Sequence, residues 1–325
     1  MSQILVTGGA GFIGSHLCQK LIARGDQVVV IDDVSTGQKS NLGQLVNHPS
    51  LTWIEGTIAD RDLIASQVEK ADQVFHLAAA VGVALIAKQP IETIERNIEP
   101  TQFLLAACNR KHLEGSPIKL FLASTSEVYG KNPKETWCEE DDLVYGPTTR
   151  ARWSYGASKA IDEFLALGYW RQSRLPCVIA RFFNVVGPRQ TGAYGMVLPR
   201  FVQAAMQNED LLVHDDGEQT RCFAHVDDVT NGVIALMESE ATLGEIFNIG
   251  SDLPISIRRL AERVIELTGS RSGIEFQSYN DAYDEDFEDI RRRVPDLTKI
   301  RNAIGFQTRH DLDSIIRDVH QSMML

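Results

Sequence analysis

The sequence contains few cysteines and no closely spaced pair of them. Its five cysteines are odd in number and widely scattered, and no two form a C-x-x-C pair. Zinc sites and dithiol redox motifs use such pairs, so we predict neither, and no bound metal. Scattered cysteines are typical of reduced thiols in the cytoplasm. A chain of 325 residues can bury a large core without disulfides.

Long apolar runs and excess positive charge are also missing. No apolar stretch reaches the roughly 18 residues of a membrane span. The first residues lack the basic flank and apolar centre of a signal peptide. We therefore expect a cytoplasmic protein with no membrane partner. The net charge of −12 leaves no general basic surface for nucleic acid, so an anionic ligand would need individually placed arginines.

Strand-like and helical patterns alternate through the first half of the chain. The strand-like runs are short and β-branched or apolar, as in QILVT, QVVVID and IKLFLAST, and helical segments such as SHLCQKLIARG lie between them. This alternation is typical of βαβ units in a parallel sheet that helices cover on both faces. We predict an α/β protein with a Rossmann-type, doubly wound parallel sheet.

The alternation loosens after about residue 185, where amphipathic helices follow. The run HVDDVTNGVIALMES reads as a helix that returns to the first lobe. We therefore predict a smaller C-terminal lobe that is interleaved with the first and binds the substrate. The predicted boundaries are 1–184 plus about 225–250 for the nucleotide-binding lobe, and 185–224 plus 251–325 for the substrate lobe.

A glycine-rich stretch, TGGAGFIGSH (7–16), follows the first predicted strand and opens the first predicted helix. Its glycines Gly8, Gly11 and Gly14 each weaken a helix by about 1 kcal/mol relative to alanine, so a close approach to bare backbone must offset that cost. Such a turn binds a dinucleotide pyrophosphate at the helix N-terminus. Asp32 lies about 20 residues later and would accept hydrogen bonds from both adenine-ribose hydroxyls, which favours NAD over NADP.

Candidate catalytic residues follow in two later stretches. Tyr155 and Lys159 lie four residues apart in WSYGASKAIDEF and share one face of a helix. A neighbouring ammonium stabilises a phenolate and lowers its pKa. The tyrosine could then take a proton from a sugar hydroxyl while hydride leaves the same carbon for nicotinamide. Thr125 and Glu127 follow an apolar strand in ASTSEVYG, at the edge where open α/β sheets bind ligands.

Six motifs occur in the order TGGAGFIG, HLAA, STSEVYG, YGASK, RFFNVVGPR and QTRCFAHVDDV. Through them the chain, over roughly 1–305, resembles the extended short-chain dehydrogenases/reductases of the nucleotide-sugar epimerase, dehydratase and decarboxylase group. The resemblance implies an enzyme that keeps NAD bound and recycles it. The C4 hydroxyl of a nucleotide sugar is oxidised, the 4-keto sugar reacts, and hydride returns. A 4-ketone acidifies C5 and makes a C6 carboxylate a β-keto acid, so several reactions can follow.

The resemblance also implies roles for individual residues. Tyr155 is the base, Lys159 lowers its pKa and binds the nicotinamide ribose, and Thr125 assists, with Ser126 and Glu127 beside it. The other cofactor-binding residues implied are Gly8, Gly11, Phe12, Ile13, Gly14, Asp32, Asp33, Ser35, Thr36, Gly37, Thr57, Ile58, Leu77, Ala78, Ala79 and Asn97. The substrate-binding residues implied are Val81, Thr125, Ser126, Glu127, Asn184, Arg189, Val197, Arg221 and Arg292.

The loop after Thr125 distinguishes the reactions of the group. dTDP-glucose 4,6-dehydratases carry Asp-Glu there, whereas this chain has Ser126-Glu127, which argues against elimination of water. Ser-Glu resembles UDP-glucuronate decarboxylases and also GDP-mannose dehydratases, and simple 4-epimerases usually lack the glutamate. VVGPR also resembles the decarboxylases and would bring Arg189 to a C6 carboxylate. We predict a UDP-hexuronate decarboxylase, with UDP-glucuronate or UDP-glucose 4-epimerase and nucleotide-sugar 4,6-dehydratase as alternatives.

Two positions depart from the family pattern. Thr57 replaces an aspartate near adenine, and Pro100 replaces the glycine of N-x-x-G-T. A non-catalytic NAD-binding sensor is an alternative of another class, but such proteins often lose the tyrosine or the lysine, and both are present here.

Family members commonly form homodimers through a four-helix bundle, for which the predicted helices near 95–110 and 157–172 are the candidates.

Overall fold

The short apolar runs of the sequence form β-strands, most of which are parallel. The computed structural model describes residues 1–80, 90–192, 196–278 and 290–324. In chain order the strands are β1 (Gln3–Thr7), β2 (Gln27–Asp32), β3 (Leu51–Glu55), β4 (Gln73–His76), β5 (Lys119–Thr125), β6 (Cys177–Phe182), β7 (Val185–Val186), β8 (Leu211–His214), β9 (Thr220–Cys222), β10 (Ala224–His225), β11 (Glu245–Ile249), β12 (Pro254–Ser256), β13 (Ile274–Gln277) and β14 (Arg292–Arg293).

Seven of these strands form one parallel sheet in the order β11-β6-β5-β4-β1-β2-β3. The chain builds outward from β1 to β3 and then returns to build the other half from β4, so the order reverses between β1 and β4. Open α/β sheets bind ligands outside the carboxyl ends of the strands at such a switch point. The predicted doubly wound parallel sheet is confirmed.

Helices cover both faces of this sheet and form most of the second lobe. In chain order they are α1 (Phe12–Arg24), α2 (Arg61–Lys70), α3 (Pro90–Leu113), α4 (Ser154–Ser173), α5 (Val197–Gln207), α6 (Val226–Glu238), α7 (Ile257–Thr268), α8 (Thr298–Ile304) and α9 (Leu312–Met324). Within the described ranges, no helix has the length and apolar character needed to cross a membrane.

Three apolar clusters hold these layers together. One joins α1 and α6 to one face of the sheet, and the second joins α2, α3 and α4 to the other face. The third joins α5, α7 and α9 and is built from residues outside the seven-stranded sheet, all of them in the segments predicted for the substrate lobe. α8, which also lies in those segments, packs instead against the first cluster through Ile300.

Small sheets complete the second lobe and were not predicted from the sequence. β8 pairs with β13, and β9 lies between β12 and β14. In the second of these sheets Arg293 of β14 stands opposite Arg221 of β9. Such short strands give too few residues for a recognisable period of two.

The glycine-rich turn between β1 and α1 is shaped by contact between backbones. A Cβ on Gly14 would lie 2.1 Å from the carbonyl oxygen of Gly8 and 2.8 Å from the Cα of Gly9. Gly8 itself has φ +74°, and its Cβ would lie 2.7 Å from the backbone nitrogen of Ala78. The first turn of α1 and the end of β4 therefore approach the turn at distances that only glycine permits.

We predict that Gly14→Ala lowers the free energy of unfolding by about 1–3 kcal/mol, because the added methyl group must push backbone atoms apart. The measurement is urea unfolding followed by circular dichroism. Gly25→Asn is the control at the other end of α1, since Gly25 has φ +97° and open space around an added Cβ, and asparagine tolerates that region. An unchanged stability of Gly14→Ala, or an equal loss in the control, would contradict this packing.

Candidate active site

A cleft of about 940 Å³ opens at the carboxyl ends of the sheet strands, between the sheet and the smaller lobe. The glycine-rich turn, the end of β5 and the start of α4 form one wall, and α5 and β9 form the other. The predicted site residues that line the cleft are Gly8, Gly11, Phe12, Ile13, Gly14, Asp32, Asp33, Ser35, Thr36, Thr57, Ile58, Leu77, Ala78, Ala79, Thr125, Ser126, Glu127, Tyr155, Lys159, Asn184, Arg189, Val197 and Arg221.

Two predicted cofactor residues, Asn97 and Gly37, support the walls of the cleft from behind. Asn97 is buried, accepts the backbone N–H of Ala80 at 2.8 Å and donates to the Ser158 hydroxyl at 3.2 Å, so it connects the end of β4 to α4. A Cβ on Gly37 would lie 2.8 Å from the backbone of Ala10. Asn97 therefore fixes the backbone after β4, and the bare Gly37 lets its loop approach Ala10 closely.

Asp32, at the end of β2, lies beside the glycine-rich turn at one end of the cleft. Its two carboxylate oxygens accept the backbone N–H groups of Ala10 at 2.9 Å and Val34 at 2.8 Å. Burial raises the pKa of Asp32, and these two hydrogen bonds oppose the rise. Each oxygen keeps a lone pair that a ribose hydroxyl can use. Together with the bare glycine turn, this fixed carboxylate fits the adenosine diphosphate half of NAD.

Tyr155 lies at the start of α4, beside the end of β5. Tyr155 and Thr125 both line the cleft. Burial, followed by the negative charges of Glu127 and Asp162, raises the pKa of Tyr155, and the nearby Thr125 hydroxyl opposes the rise. A Cβ on Gly156 would lie 2.4 Å from the carbonyl oxygen of Glu127, so the helix start and the loop after β5 are in direct backbone contact.

A buried ion pair fixes α4 against the sheet. The Glu163 carboxylate accepts two hydrogen bonds from Arg181 of β6, from Nε at 3.0 Å and from Nη2 at 2.7 Å. It also accepts the hydroxyl of Ser124, on β5, at 2.5 Å. All three side chains are buried. These contacts set the position of the helix that carries Tyr155 and Lys159.

Lys159 points toward an acid that the sequence analysis did not consider. Its Nζ donates to the Asp162 carboxylate at 2.8 Å, and both side chains are buried. Lys159 was expected to lower the pKa of Tyr155, whereas that pKa is raised in this structure. The first cause is burial of the phenol, followed by the negative charge of Glu127 and then by that of Asp162, which also offsets the ammonium.

Glu127 lies between two arginines that the sequence analysis missed. Its carboxylate forms ion pairs with Nη1 of Arg152 at 2.6 Å and with Nη1 of Arg293. Burial alone would raise the pKa of Glu127, but the guanidinium groups of Arg293 and Arg152 overcome this effect and lower it to about 2. The carboxylate is therefore ionised at neutral pH. Both arginines are buried and line the cleft.

Sequence signals for these two arginines existed but were ambiguous. Arg152 precedes Tyr155 by three residues in the turn Ala151–Trp153. Arg292 was the predicted substrate contact, but it is exposed, donates from Nε to the carbonyl of Glu135 at 2.8 Å, and does not line the cleft. Neighbouring residues of a strand point to opposite faces, so Arg293 faces the cleft instead. Val81, also predicted to bind substrate, lies outside the described residues.

The remaining predicted substrate residues come from the second lobe and from the link to it. Asn184 donates to the carbonyl of Cys222 at 3.0 Å, which ties this link to the end of β9. Arg221 is buried in the cleft wall. Arg189 lines the cleft, but its guanidinium donates to Ser15 at 3.2 Å and Gln19 at 2.6 Å on α1. Arg189 therefore connects the two walls, whereas Arg152 and Arg293 surround Glu127.

Known proteins match this chain along nearly its whole length. A UDP-N-acetyl-alpha-D-glucosaminuronate decarboxylase from Bacillus cytotoxicus is 42% identical over 305 residues, which are 94% of this chain and 92% of the relative. A UDP-glucuronic acid decarboxylase 1 from Xenopus tropicalis is 34% identical over 310 residues, 94% of this chain and 68% of the relative.

Solved structures and a family model agree with these matches. The UDP-glucuronic acid 4-epimerase from Bacillus cereus, in complex with UDP-glucuronic acid and NAD, has a TM-score of 0.88 at 28% identity and covers 99% of each chain. Residues 4–250 match the model of the NAD dependent epimerase/dehydratase family. The predicted resemblance, the enzymatic nature of the protein and its use of NAD are confirmed. The chain belongs to the NAD dependent epimerase/dehydratase family.

Proposed function

We propose that the enzyme releases CO2 from a UDP-hexuronate through transient oxidation at C4. The observation that carries this proposal is the pair of guanidinium groups around Glu127, next to Tyr155 in the cleft. Among the described residues, two guanidinium groups surround this one carboxylate beside the place where a sugar would meet Tyr155. Guanidinium groups recognise carboxylates through paired hydrogen bonds. A C6 carboxylate supplies the anion that this charge favours, and a neutral hexose does not.

The residues of the cleft divide the chemistry between them. Bound NAD supplies the hydride acceptor at C4 and the hydride donor that restores it. Tyr155 takes the proton of the C4 hydroxyl, and Thr125 orients that hydroxyl. Oxidation at C4 makes the C6 carboxylate part of a β-keto acid. The C5–C6 bond then breaks and CO2 leaves. The electron pair of that bond stays on the sugar and forms an enolate across C4 and C5. C5 then takes a proton from solvent water, and Tyr155 returns its proton to O4 as C4 is reduced.

Two alternatives are less well supported by the cleft. A 4,6-dehydratase needs an acid that gives a proton to the leaving hydroxyl, and Glu127 with a pKa of about 2 holds no proton at neutral pH. A sensor without turnover has no need of Tyr155 and Lys159, and both line the cleft. Epimerisation of the same uronate at C4 uses the same residues. The similarity to the Bacillus cereus 4-epimerase structure keeps it as the second candidate.

Product analysis separates these reactions. We expect NMR to show loss of CO2 from UDP-glucuronate or UDP-N-acetylglucosaminuronate, each incubated alone with the enzyme. An epimeric uronate would support the second candidate, and no turnover of either uronate would contradict both. Tyr155→Phe should lower turnover by roughly a thousandfold while NAD stays bound, which its absorbance on the purified protein reports.

The adjacent arginines of β14 provide a matched test of uronate recognition. We predict that Arg293→Met lowers kcat/KM for the uronate by about 100-fold, because removal of a buried charged partner typically costs about 2–5 kcal/mol. Arg292→Met should change it by less than about twofold, since an exposed charge contributes little. Steady-state kinetics checks both variants, with thermal melts to confirm folding. Equal effects of the two substitutions would contradict the assignment.

We also propose that the protein forms a homodimer through α3 and α4. These helices pack on one another, and they expose large apolar side chains to solvent. The exposed fractions are 71% for Ile91, 39% for Ile94, 43% for Ile161 and 67% for Phe164. Two helices from each of two copies would cover these side chains in a four-helix bundle.

A charge on this face should separate the copies. We predict a dimer in gel filtration for the unmodified protein and a monomer for Phe164→Glu, because an uncompensated carboxylate is costly to bury. Phe276→Glu is the matched control, since Phe276 is 49% exposed but belongs to β13 on the smaller lobe. A monomeric unmodified protein, or a dimer that survives Phe164→Glu unchanged, would remove the proposal.

We propose that the enzyme works in the cytoplasm. All five cysteines are free, as a reducing compartment would keep them.

We propose that 1–184 plus about 225–250 bind NAD and that 185–224 plus 251–325 bind the nucleotide sugar, with α8 as the exception. The separate apolar cluster of α5, α7 and α9 supports this division.

A further inference from the structure

Asp162 is a fully buried acid one turn beyond Lys159 on α4. Its exposed fraction is 0%, and that of Lys159 is 2%. One carboxylate oxygen accepts the Lys159 ammonium at 2.8 Å, whereas the other, Oδ1, is buried and makes no hydrogen bond within the described part of the chain. A buried oxygen without a partner lowers stability. The buried Asp162 carboxylate therefore lowers the stability of the protein, and α4 does not need an acid at this position in order to form.

The groups around Lys159 make Asp162 its counter-ion. His76, which faces Lys159 from β4, hydrogen-bonds Thr7 at 2.7 Å and Thr101 at 2.9 Å. Burial and the Lys159 charge lower the pKa of His76 to about 3, so it is neutral at the pH of the cell. It cannot balance the ammonium, and Asp162 does so through direct contact.

The other ionised groups nearby already have partners of their own. Glu163, the next residue of α4, is neutralised by Arg181 from β6. Glu127, which faces Tyr155 from the loop after β5, lies between two arginines. Of the described acidic groups around this end of α4, Asp162 is thus the one whose charge acts on Lys159.

We propose that Asp162 is a positioning residue, which holds the Lys159 ammonium and offsets its charge so as to set the pH range in which Tyr155 acts as base. This inference rests on the role of Tyr155 in the proposed function. Lys159 can stabilise the Tyr155 phenolate only to the extent that Asp162 does not neutralise it. Removal of the Asp162 charge would leave the ammonium to act fully on the phenol.

The sign of the effect follows from the titration of Tyr155. The base must be deprotonated to accept a proton, so the low-pH limb of the kcat profile reports its pKa in the loaded enzyme. An uncompensated ammonium lowers that pKa. We therefore expect Asp162→Asn to move the low-pH limb by about one pH unit toward acid, a roughly tenfold change in the acid dissociation constant. Asparagine keeps the size of the side chain and an oxygen that accepts Lys159.

A second readout does not depend on turnover. The ultraviolet absorbance of the phenolate can be titrated as the difference between each protein and the same protein carrying Tyr155→Phe. The difference titration should move toward lower pH in Asp162→Asn, and also in Asp162→Ala, which removes the oxygen as well as the charge. Asp26→Asn is the control, since Asp26 is a buried acid paired with Arg24 at 2.6 Å outside the cleft. It should change neither profile.

The outcomes are distinct for the two proposals. If both Asp162 variants fold, as circular dichroism reports, and leave the Tyr155 titration unchanged, the inference is overturned, even if activity falls. An equal shift in Asp26→Asn would overturn it too, because a general change of net charge would then be the cause. A shifted titration without turnover of any uronate would sustain the role of Asp162 and contradict only the proposed function.

Discussion

The position of α4, which carries Tyr155 and Lys159, depends on one buried contact, the Glu163 carboxylate held by Arg181 and Ser124. A buried carboxylate is stable only if its charge and lone pairs are matched, and two adjacent strands of the sheet match them here. The helix therefore has one favourable position on β5 and β6. That position brings Tyr155 to Thr125 at the strand end, where the switch point of the sheet opens the cleft.

Local patterns in the sequence predicted much of this arrangement. Parallel strands, the glycine turn with Asp32, and the Tyr155–Lys159 pair each follow from residues within one or two elements, whose spacing determines their geometry. The ion pairs of Glu127 do not, because Arg152 and Arg293 are far apart in the chain and meet only after folding. The raised pKa of Tyr155 was missed for a similar reason, since it depends first on the burial of the phenol and then on the acids that folding brings beside it.

The charge of the side chains that line the cleft differs in sign from the net charge of the whole chain. The chain carries a net charge of −12, yet the cleft is lined by the guanidinium groups of Arg152, Arg221 and Arg293. Long-range attraction for an anionic ligand is therefore weak, and recognition depends on contacts within the cleft, where screening by salt is reduced. Selectivity for an anion then depends on the fixed geometry of a few side chains.

The position of Arg293 in the cleft depends on the register of the two-residue strand β14. Its ladder places Arg293 opposite Arg221, and the flanking backbone is fixed by hydrogen bonds of Trp137 to Val294 at 2.9 Å and of Asp296 to Trp137 at 2.8 Å. A slip of one residue would turn Arg293 away from the cleft, and its place would pass to the aliphatic Val294 or to Arg292, according to the direction of the slip. Insertions or deletions before β14 therefore keep Arg293 itself in the cleft only while the hydrogen bonds of Trp137 maintain the register of the strand.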